Sequence, residues 1–336
     1  MPPASSYAPC LVLATSRATA RLPLTSLRDV AHLEALRPGT LDDIPAAAAI
    51  RASVVSDAII TREGMSTWLS GLPQESNLFL LAAEVDGRMV GWCNAWRNMF
   101  GSDPGVGTLD VVVVPDHQRL GLGTRLITRG LDHLVGIGIH TVRGSSVDRP
   151  GPRAVAARFG FAEVHASSTS AVDPRTVEPM PVPEGVTLRS FGEIDDPRPL
   201  YDLDLEVSRD VPGDDDFTSM TLEQWTGHFW RTVFADDDAS LAAYVDGQLA
   251  ALTMLRVDRP SHRAQNNLTG TRRAYRGRGL ARLLKTHSLH RAAQAGATIA
   301  FTDNDETNAA MLGINHALGY QHSSRRVEWE RRAPEV

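Results

Sequence analysis

Two short runs of this 336-residue chain have residue types and order suited to gripping an anion. One is Gln118, Arg119, Leu120, Gly121, Leu122, Gly123 and Thr124; the other is Arg276, Gly277, Arg278, Gly279, Leu280 and Ala281. Both have the form Q/R-x-x-G-x-G/A, follow an extended stretch and open an amphipathic helical pattern. Small residues let a ligand come close to the backbone. The first amides of a helix have no partner inside it, and the helix dipole favours negative charge in front of them. Arg119 and Arg278 are placed to add charge-assisted bonds. Neither run fits G-x-x-x-x-G-K-[ST], and neither is a G-x-G-x-x-G at the head of a βαβ unit, so a P-loop and a dinucleotide fold are both disfavoured. One glycine-rich turn before a helix is commonplace, whereas two at matched positions point to a shared frame.

That frame is a repeat. LAAEVDG begins at Leu81 and LAAYVDG at Leu241; the glycine turns begin at Gln118 and Arg276; RFGF ends at Phe161 and ALGY at Tyr320. These three pairs lie 158 to 160 residues apart. An earlier pair, LRPGTLDD from Leu36 and LRSFGEIDD from Leu188, is 152 apart, so the second copy carries about eight extra residues near its front. Each copy reads as a short strand (Leu33–Arg37, Val186–Arg189), a helical stretch, a hairpin with Asp-Gly at its turn (Asp86-Gly87, Asp246-Gly247) and a further extended stretch. The glycine turn, a helix (Leu122–Val135, Leu280–Ala295), a strand (Thr141–Ser146, Thr298–Asp303), another helix and a closing strand follow. Domains are expected over residues 32–172 and 186–330, joined by a proline-rich linker at 173–185. A flexible extension is expected over 1–31 and a tail over 331–336.

Composition narrows the classes. Hydrophobic residues make up 42 % and charged residues 22 %, as in soluble globular chains, and the net charge of −6 argues against nucleic acid as a partner. No apolar run of membrane-spanning length and no secretory leader pattern is present, so a cytoplasmic protein without a membrane partner is expected. Cys10 and Cys93 form neither a metal-ligand spacing nor a disulfide framework, and no metal is expected. Lys285 is the sole lysine.

Strand, Q/R-x-x-G-x-G/A, helix, strand, helix and a closing G-F/Y together resemble the GNAT superfamily of N-acetyltransferases. VVVVPDHQRLGLGTRL and TGTRRAYRGRGLARLLK are similar to its acyl-CoA pyrophosphate loop, and TDNDETNAAMLGIN to the segment that contacts the coenzyme. The doubled layout resembles tandem-repeat members. The resemblance implies an α/β (α+β) fold of two tandem GNAT-like domains, each a mixed central sheet flanked by helices. It implies acetyl-CoA, or another acyl-CoA, as cosubstrate, with its pyrophosphate on the amides of Gln118–Thr124 and Arg276–Arg282. Its pantetheine arm would pair like an extra strand with Val112, Val113 and Val114, or with Thr269, Gly270 and Thr271. A small-molecule or peptide amine would attack the thioester directly within a ternary complex.

Departures from the family pattern rank the two copies. Many members place a Tyr four residues before the closing Gly, to protonate the leaving thiolate; here Ala156 and Asn315 stand there. A thiol pKa near ~8.5 makes thiolate a tolerable leaving group without it. The first copy also has Pro150, Gly151 and Pro152 where a helix should begin, which is expected to shorten that helix. The second keeps Asn304 and Asn308 as candidate pantetheine or capping groups, and it is the expected catalytic copy. Asp303, near the expected thioester, is the first candidate base, with Glu306 second; either could instead cap a helix starting near Asp305. The front insertion, Ser208–Trp225, carries Asp210, Asp214, Asp215, Asp216 and Glu223 beside Phe217, Trp225 and Trp230, and Asp236–Asp238 follow. Acids and aromatic faces together suit a cationic amine acceptor. Two rival readings remain: a non-catalytic acyl-CoA-binding or sensory module, and a transferase using a longer acyl donor.

Overall fold

The computed structural model describes residues 11–12, 34–210 and 220–332. The first copy runs β1 (Leu11–Val12), β2 (Glu34–Pro38), α1 (Ile44–Val54), α2 (Arg62–Ser70), β3 (Phe79–Val85), β4 (Arg88–Arg97), β5 (Val106–Val113), α3 (Leu122–Gly136), β6 (Thr141–Val147), α4 (Pro150–Arg158) and β7 (Ala162–Val172). The second runs β8 (Val186–Ser190), α5 (Arg198–Ser208), α6 (Leu222–Phe229), β9 (Leu241–Val245), β10 (Gln248–Asp258), β11 (Arg263–Thr271), α7 (Leu280–Gln294), β12 (Ile299–Asp305), α8 (Ala309–Ala317) and β13 (Gln321–Arg332). Element by element, from the first strand of each copy (β2 and β8) onward, the two copies match. Both hairpins turn on Asp-Gly with positive φ at both residues, the geometry that joins twisted strands in two residues. The amphipathic pattern of α3 buries Leu122, Leu126, Ile127, Leu131 and Leu134 against the sheet.

The described strands form one mixed sheet in the order β2-β3-β4-β5-β6-β13-β7-β12-β11-β10-β9-β8, with β1 attached to β5. The two closing strands are exchanged. β7, from the first copy, lies beside β12 of the second, and β13, from the second, lies beside β6 of the first. They meet each other at the centre, antiparallel, from Gln321↔Ala171 to Glu330↔Ala162. On one face α1, α2, α5 and α6 share a continuous core that includes Trp68, Trp92, Trp225 and Leu268. The other face holds separate cores beneath α3 and α7. Neither copy closes its sheet alone, and three of the four cores draw on both halves of the chain. Expressed separately, residues 1–172 and 173–336 are therefore expected to aggregate or stay unfolded, because each exposes an unpaired central edge and half of an apolar interface. Co-expression should restore a soluble 1:1 pair; a cooperative thermal melt from either half alone would contradict the exchange.

Two expectations change. Leu11–Val12, placed in a free extension by the sequence, pair in parallel with Val111–Val112 of β5. The proline run does not shorten its helix: Pro150 takes the first helical position, where no N–H is needed, and α4 has nine residues, as has α8. The linker segment is also held in place. Met180 accepts a hydrogen bond at its carbonyl from the direction of His287 Nε2 (2.7 Å), and its amide donates to Thr286 Oγ1 (3.2 Å), so the segment lies along α7.

Candidate functional site

The glycine turns have matching geometry. Gly121 caps α3 at φ +94°, and Gly279 caps α7 at φ +76°, in neither case with a side-chain cap, so the first helical amides remain available. Gly277 adds a second positive φ, at +77°, where the first copy has Arg119 at +67°. A Cβ placed on Gly277 or Gly279 would meet nothing within 4 Å, so the turn opens onto free space. Each turn is tied back to its strand by its first side chain: Gln118 Nε2 donates to the Val113 carbonyl (2.8 Å), and Arg276 Nε to the Thr271 carbonyl (3.0 Å). Gln118 and Arg276 thus shape the turn with their side chains.

In front of the second turn is a cleft of about 490 Å³. Thr269, Gly270, Thr271, Arg276, Gly277, Gly279, Leu280, Ala281 and Asn308 all line it, so nine of the eleven coenzyme positions expected in this copy come together. The cleft exists because two parallel strands part. β11 and β12 are paired from Arg263↔Ile299 to Asn266↔Thr302 and then diverge, while β11 stays paired with β10 as far as Thr271. Among the described residues, the β12-facing edge of residues 268–271 has no neighbouring strand. Gly270 also serves packing: a Cβ there would lie 2.4 Å from Val207 Cγ2, so the glycine lets α5 pack onto the strand. Two expected contacts lie elsewhere. Arg278 stacks over the Tyr275 ring at 5.3 Å, and Asn304 Oδ1 accepts from Asn315 Nδ2 (2.5 Å) on α8. Asn308 caps α8 by accepting from the Met311 amide, and the helix begins at Ala309, four residues later than the start expected near Asp305.

Asp303 is the first β12 residue beyond the last rung shared with β11. It is buried, 3 % exposed, and accepts a hydrogen bond from the Thr169 hydroxyl of β7, a strand of the other copy. Burial pushes its carboxyl pKa up to about 6; the Arg326 charge and the Thr169 bond pull it down, and Asp57 pushes it up. Asp57, from the segment between α1 and α2, accepts from the Ser324 hydroxyl and from Arg326 Nη2 (3.3 Å). The same segment is pinned to the second copy through Ile59, whose amide donates to Gln265 Oε1 (3.2 Å) and whose carbonyl accepts from Arg256 Nη1 (3.1 Å). The first copy therefore supplies part of the surroundings of Asp303. Sequence reasoning missed Asp57, Thr169 and Arg326, which only the exchanged strands and the α1–α2 segment bring together.

Glu306, the second candidate base, is turned outward. Arg325 Nε donates to it (2.8 Å) and also bridges Asp148 and Glu163, so Glu306 belongs to a surface ion network. Counted from the strand starts Thr141 and Ile299, the first copy has Ser145 where the second has Asp303. Its β5 also carries a buried ion pair, Arg51–Asp110, on the face toward α1. Val112, Val113 and Leu122 are buried core residues, whereas Arg119 and Gly121 are exposed; Val114, Gln118, Gly123 and Thr124 are intermediate.

A further difference lies in the strand itself. The β10–β11 ladder slips between Met254 and Leu255, leaving Asn267 opposite no residue, a bulge beside the point where the strands part. Asn266 fills it: its amide nitrogen donates to Thr253 Oγ1 (2.9 Å) and the Met254 carbonyl (3.1 Å), while its oxygen accepts from Thr269 Oγ1 (3.0 Å) and Lys285 Nζ (2.9 Å). Lys285 is buried, and desolvation alone lowers its pKa to about 7. The corresponding β4–β5 ladder runs from Gly91↔Val113 to Arg97↔Gly107 without a slip.

Part of the acidic insertion is committed within the protein. Asp210 is held by Arg273 and Arg276, which keep its carboxyl well below the usual range. Trp225 is core, its indole donating to Asp204 (2.5 Å). Asp214, Asp215, Asp216 and Phe217 lie outside the described residues. Asp236, Asp237 and Asp238 line a larger cleft of about 930 Å³ between the copies, together with Glu63 and Asp258, and Arg62, Arg231, Arg256 and Arg259 line it too, so its acids are largely offset.

Parted parallel strands, with an uncapped glycine turn feeding a helix at their open end, define an α/β transferase of the acyl-CoA-using kind. The chain belongs to the acetyltransferase (GNAT) family, whose pattern matches it twice, at residues 56–161 and 199–320. Acyl transfer from acyl-CoA is thus its general kind of reaction. Among curated proteins it is similar to the mycothiol acetyltransferases of Tsukamurella paurometabola (28 % identical over 67 % of this chain and 78 % of that one) and Nocardia farcinica (27 %, over 68 % and 75 %). Among solved structures it shares its fold with a tandem GNAT protein from the clavulanic acid biosynthesis pathway (TM-score 0.71, 21 % identity, covering 90 % of this chain and 100 % of that one). It also shares it with a GCN5-related N-acetyltransferase from Sphaerobacter thermophilus (TM-score 0.66, 19 % identity, covering 90 % and 97 %). The α/β fold of tandem GNAT-like units expected from the sequence holds. Among the described residues, no helix is long and apolar enough to cross a membrane.

Proposed function

We propose that the chain transfers an acetyl group from acetyl-CoA to the primary amine of a small-molecule or peptide acceptor, in the cytoplasm, with the second copy (residues 186–330) catalytic and the first (32–172) supporting it across the 173–185 linker. The observation that carries this reading is the parting of β11 and β12 at the cleft beside Gly277 and Gly279, with a buried carboxylate at the apex of the fork. The helix amides would hold the pyrophosphate, and the open edge of residues 268–271 would pair with the pantetheine arm. In the reaction the amine nitrogen attacks the thioester carbonyl, the new C–N bond forms, the C–S bond breaks and coenzyme A leaves as thiolate. The proton lost by the amine passes to Asp303, directly or through water. A base with a pKa of about 6 is ionised at neutral pH and still basic enough to help. The thiolate leaves without a dedicated Tyr: Ala156 and Asn315 stand in its place, and a thiol pKa near ~8.5 makes thiolate a tolerable leaving group. The name carried by the curated relatives favours a small-molecule acceptor over a protein.

The absence of that Tyr also favours the rival reading, a module that binds acyl-CoA and transfers nothing. Steady-state release of free coenzyme A against a panel of amines separates the two. Turnover of acetyl-CoA with at least one amine, with longer acyl-CoAs used less well in competition, is the expected result. Tight acetyl-CoA binding with no release above hydrolysis for any amine would favour the module.

A further inference from the structure

The first copy has its own fork. β5 and β6 pair in parallel only from Val106↔Thr141 to Thr108↔Arg143, as β11 and β12 do over their first rungs, and then part. In the second copy the corresponding edge faces the open cleft. In the first it is taken: β1 pairs in parallel with β5 at Leu11↔Val111 and Val12↔Val112, and it also lies against β6. Val112 is one of the positions at which a pantetheine arm would bind.

From this occupancy we infer that the chain closes its first acyl-CoA groove with its own N-terminal strand, so that β1 and the pantetheine arm compete for the same backbone edge. The inference rests on the reading that the family's coenzyme is used here. The physics is that of strand addition: backbone hydrogen bonds supply the affinity, and they are indifferent to whether the partner is a peptide or a pantetheine chain with its two amides. A tethered strand competes at an effective concentration of roughly millimolar, which suffices to hold off a free ligand of ordinary affinity. The turn that would receive the pyrophosphate keeps the needed geometry, with an uncapped α3 and Gly121 at φ +94°. The groove is therefore closed by occupancy and not by loss of its shape. Ligand that displaces β1 would free the segment, which makes the first copy a sensor of acyl-CoA and leaves catalysis to the second.

The test keeps the full chain and silences the second turn with Gly279→Asp, so that calorimetry with acetyl-CoA reads the first groove alone. Leu11→Pro/Val12→Pro on that background removes the backbone donors β1 needs. The silenced chain is expected to bind at least about tenfold more weakly than the silenced chain carrying both prolines, which should bind one equivalent. Equal affinity with and without the prolines would overturn the inference. So would absence of binding in the proline variant if its far-UV spectrum and thermal melt match those of the silenced chain, since the groove would then not be a coenzyme site. The parent chain, with Gly279 intact, is the control for the reading beneath: it should bind one equivalent tightly, and failure there would remove coenzyme use itself, not the competition.

Discussion

Replacing Asp303 by Asn is expected to lower kcat by roughly 10²–10⁴-fold, the usual cost of losing a general base, with little change in acetyl-CoA affinity. The wild-type kcat/KM should rise with pH through about 6 and then level off, because only the ionised carboxylate accepts the proton. The variant should lose this inflection. Stability should move the other way. Burial raises the folded-state pKa from 3.8 to about 6, so the folded protein holds this proton more tightly than the unfolded chain does. The group's contribution to stability is fully present below pH 3.8, falls as pH rises toward 6 and is lost above that. The Asn variant has no such loss, so it should melt higher than wild type above pH 6, by on the order of 2–3 kcal/mol, and the gap should close toward pH 4. A variant with unchanged kcat would reduce Asp303 to a buried structural carboxyl bonded to Thr169.

Gly279→Asp should weaken acetyl-CoA by at least about a hundredfold and abolish measurable turnover. The residue sits at φ +76°, where side chains other than glycine are strained, and the new carboxylate would stand where the amides of α7 await a phosphate. Gly121→Asp, the same change at the matching cap of α3, should leave turnover within a few fold, as should Gly123→Asp one turn position on. Calorimetry and coenzyme A release measured on all three variants decide the matter. Comparable loss of turnover from the first-copy changes would falsify the assignment of catalysis to the second copy.

Much of the frame is legible in the sequence because it depends on local chemistry repeated twice. Asp86-Gly87 and Asp246-Gly247 demand positive φ and mark the hairpins. The apolar spacing after Gly121 and Gly279 locates α3 and α7 to within a residue or two. The exchange of β7 and β13 is invisible to such reasoning. Each closing strand satisfies the same pairing needs beside either β6 or β12, so only the global packing chooses, and with that choice go the contacts of Thr169 and Arg326 to the Asp303 site. Local reading also misplaced the α8 start, because Asp303, Asn304 and Asp305 are all good capping residues and the strand runs through them. Asn266 and Lys285 were not singled out because a polar residue on a strand and a lone lysine on a helix carry no spacing signal; only packing shows that they meet beneath a bulge.

The burial of Lys285 has a chemical consequence of its own. Activated thioesters acylate accessible amines without any catalyst, and a protein that holds one in its cleft is exposed to its own cosubstrate. In this chain the single lysine is 1 % exposed, beneath α7, with its nitrogen committed to Asn266 and lying 5.2 Å from the Tyr320 ring centre. Because desolvation leaves that amine substantially uncharged near neutral pH, a proton does not shield it; the packing around it does. The surface therefore offers the donor no lysine side chain to modify, and adducts at Lys285 would form only on molecules in which the second copy has opened.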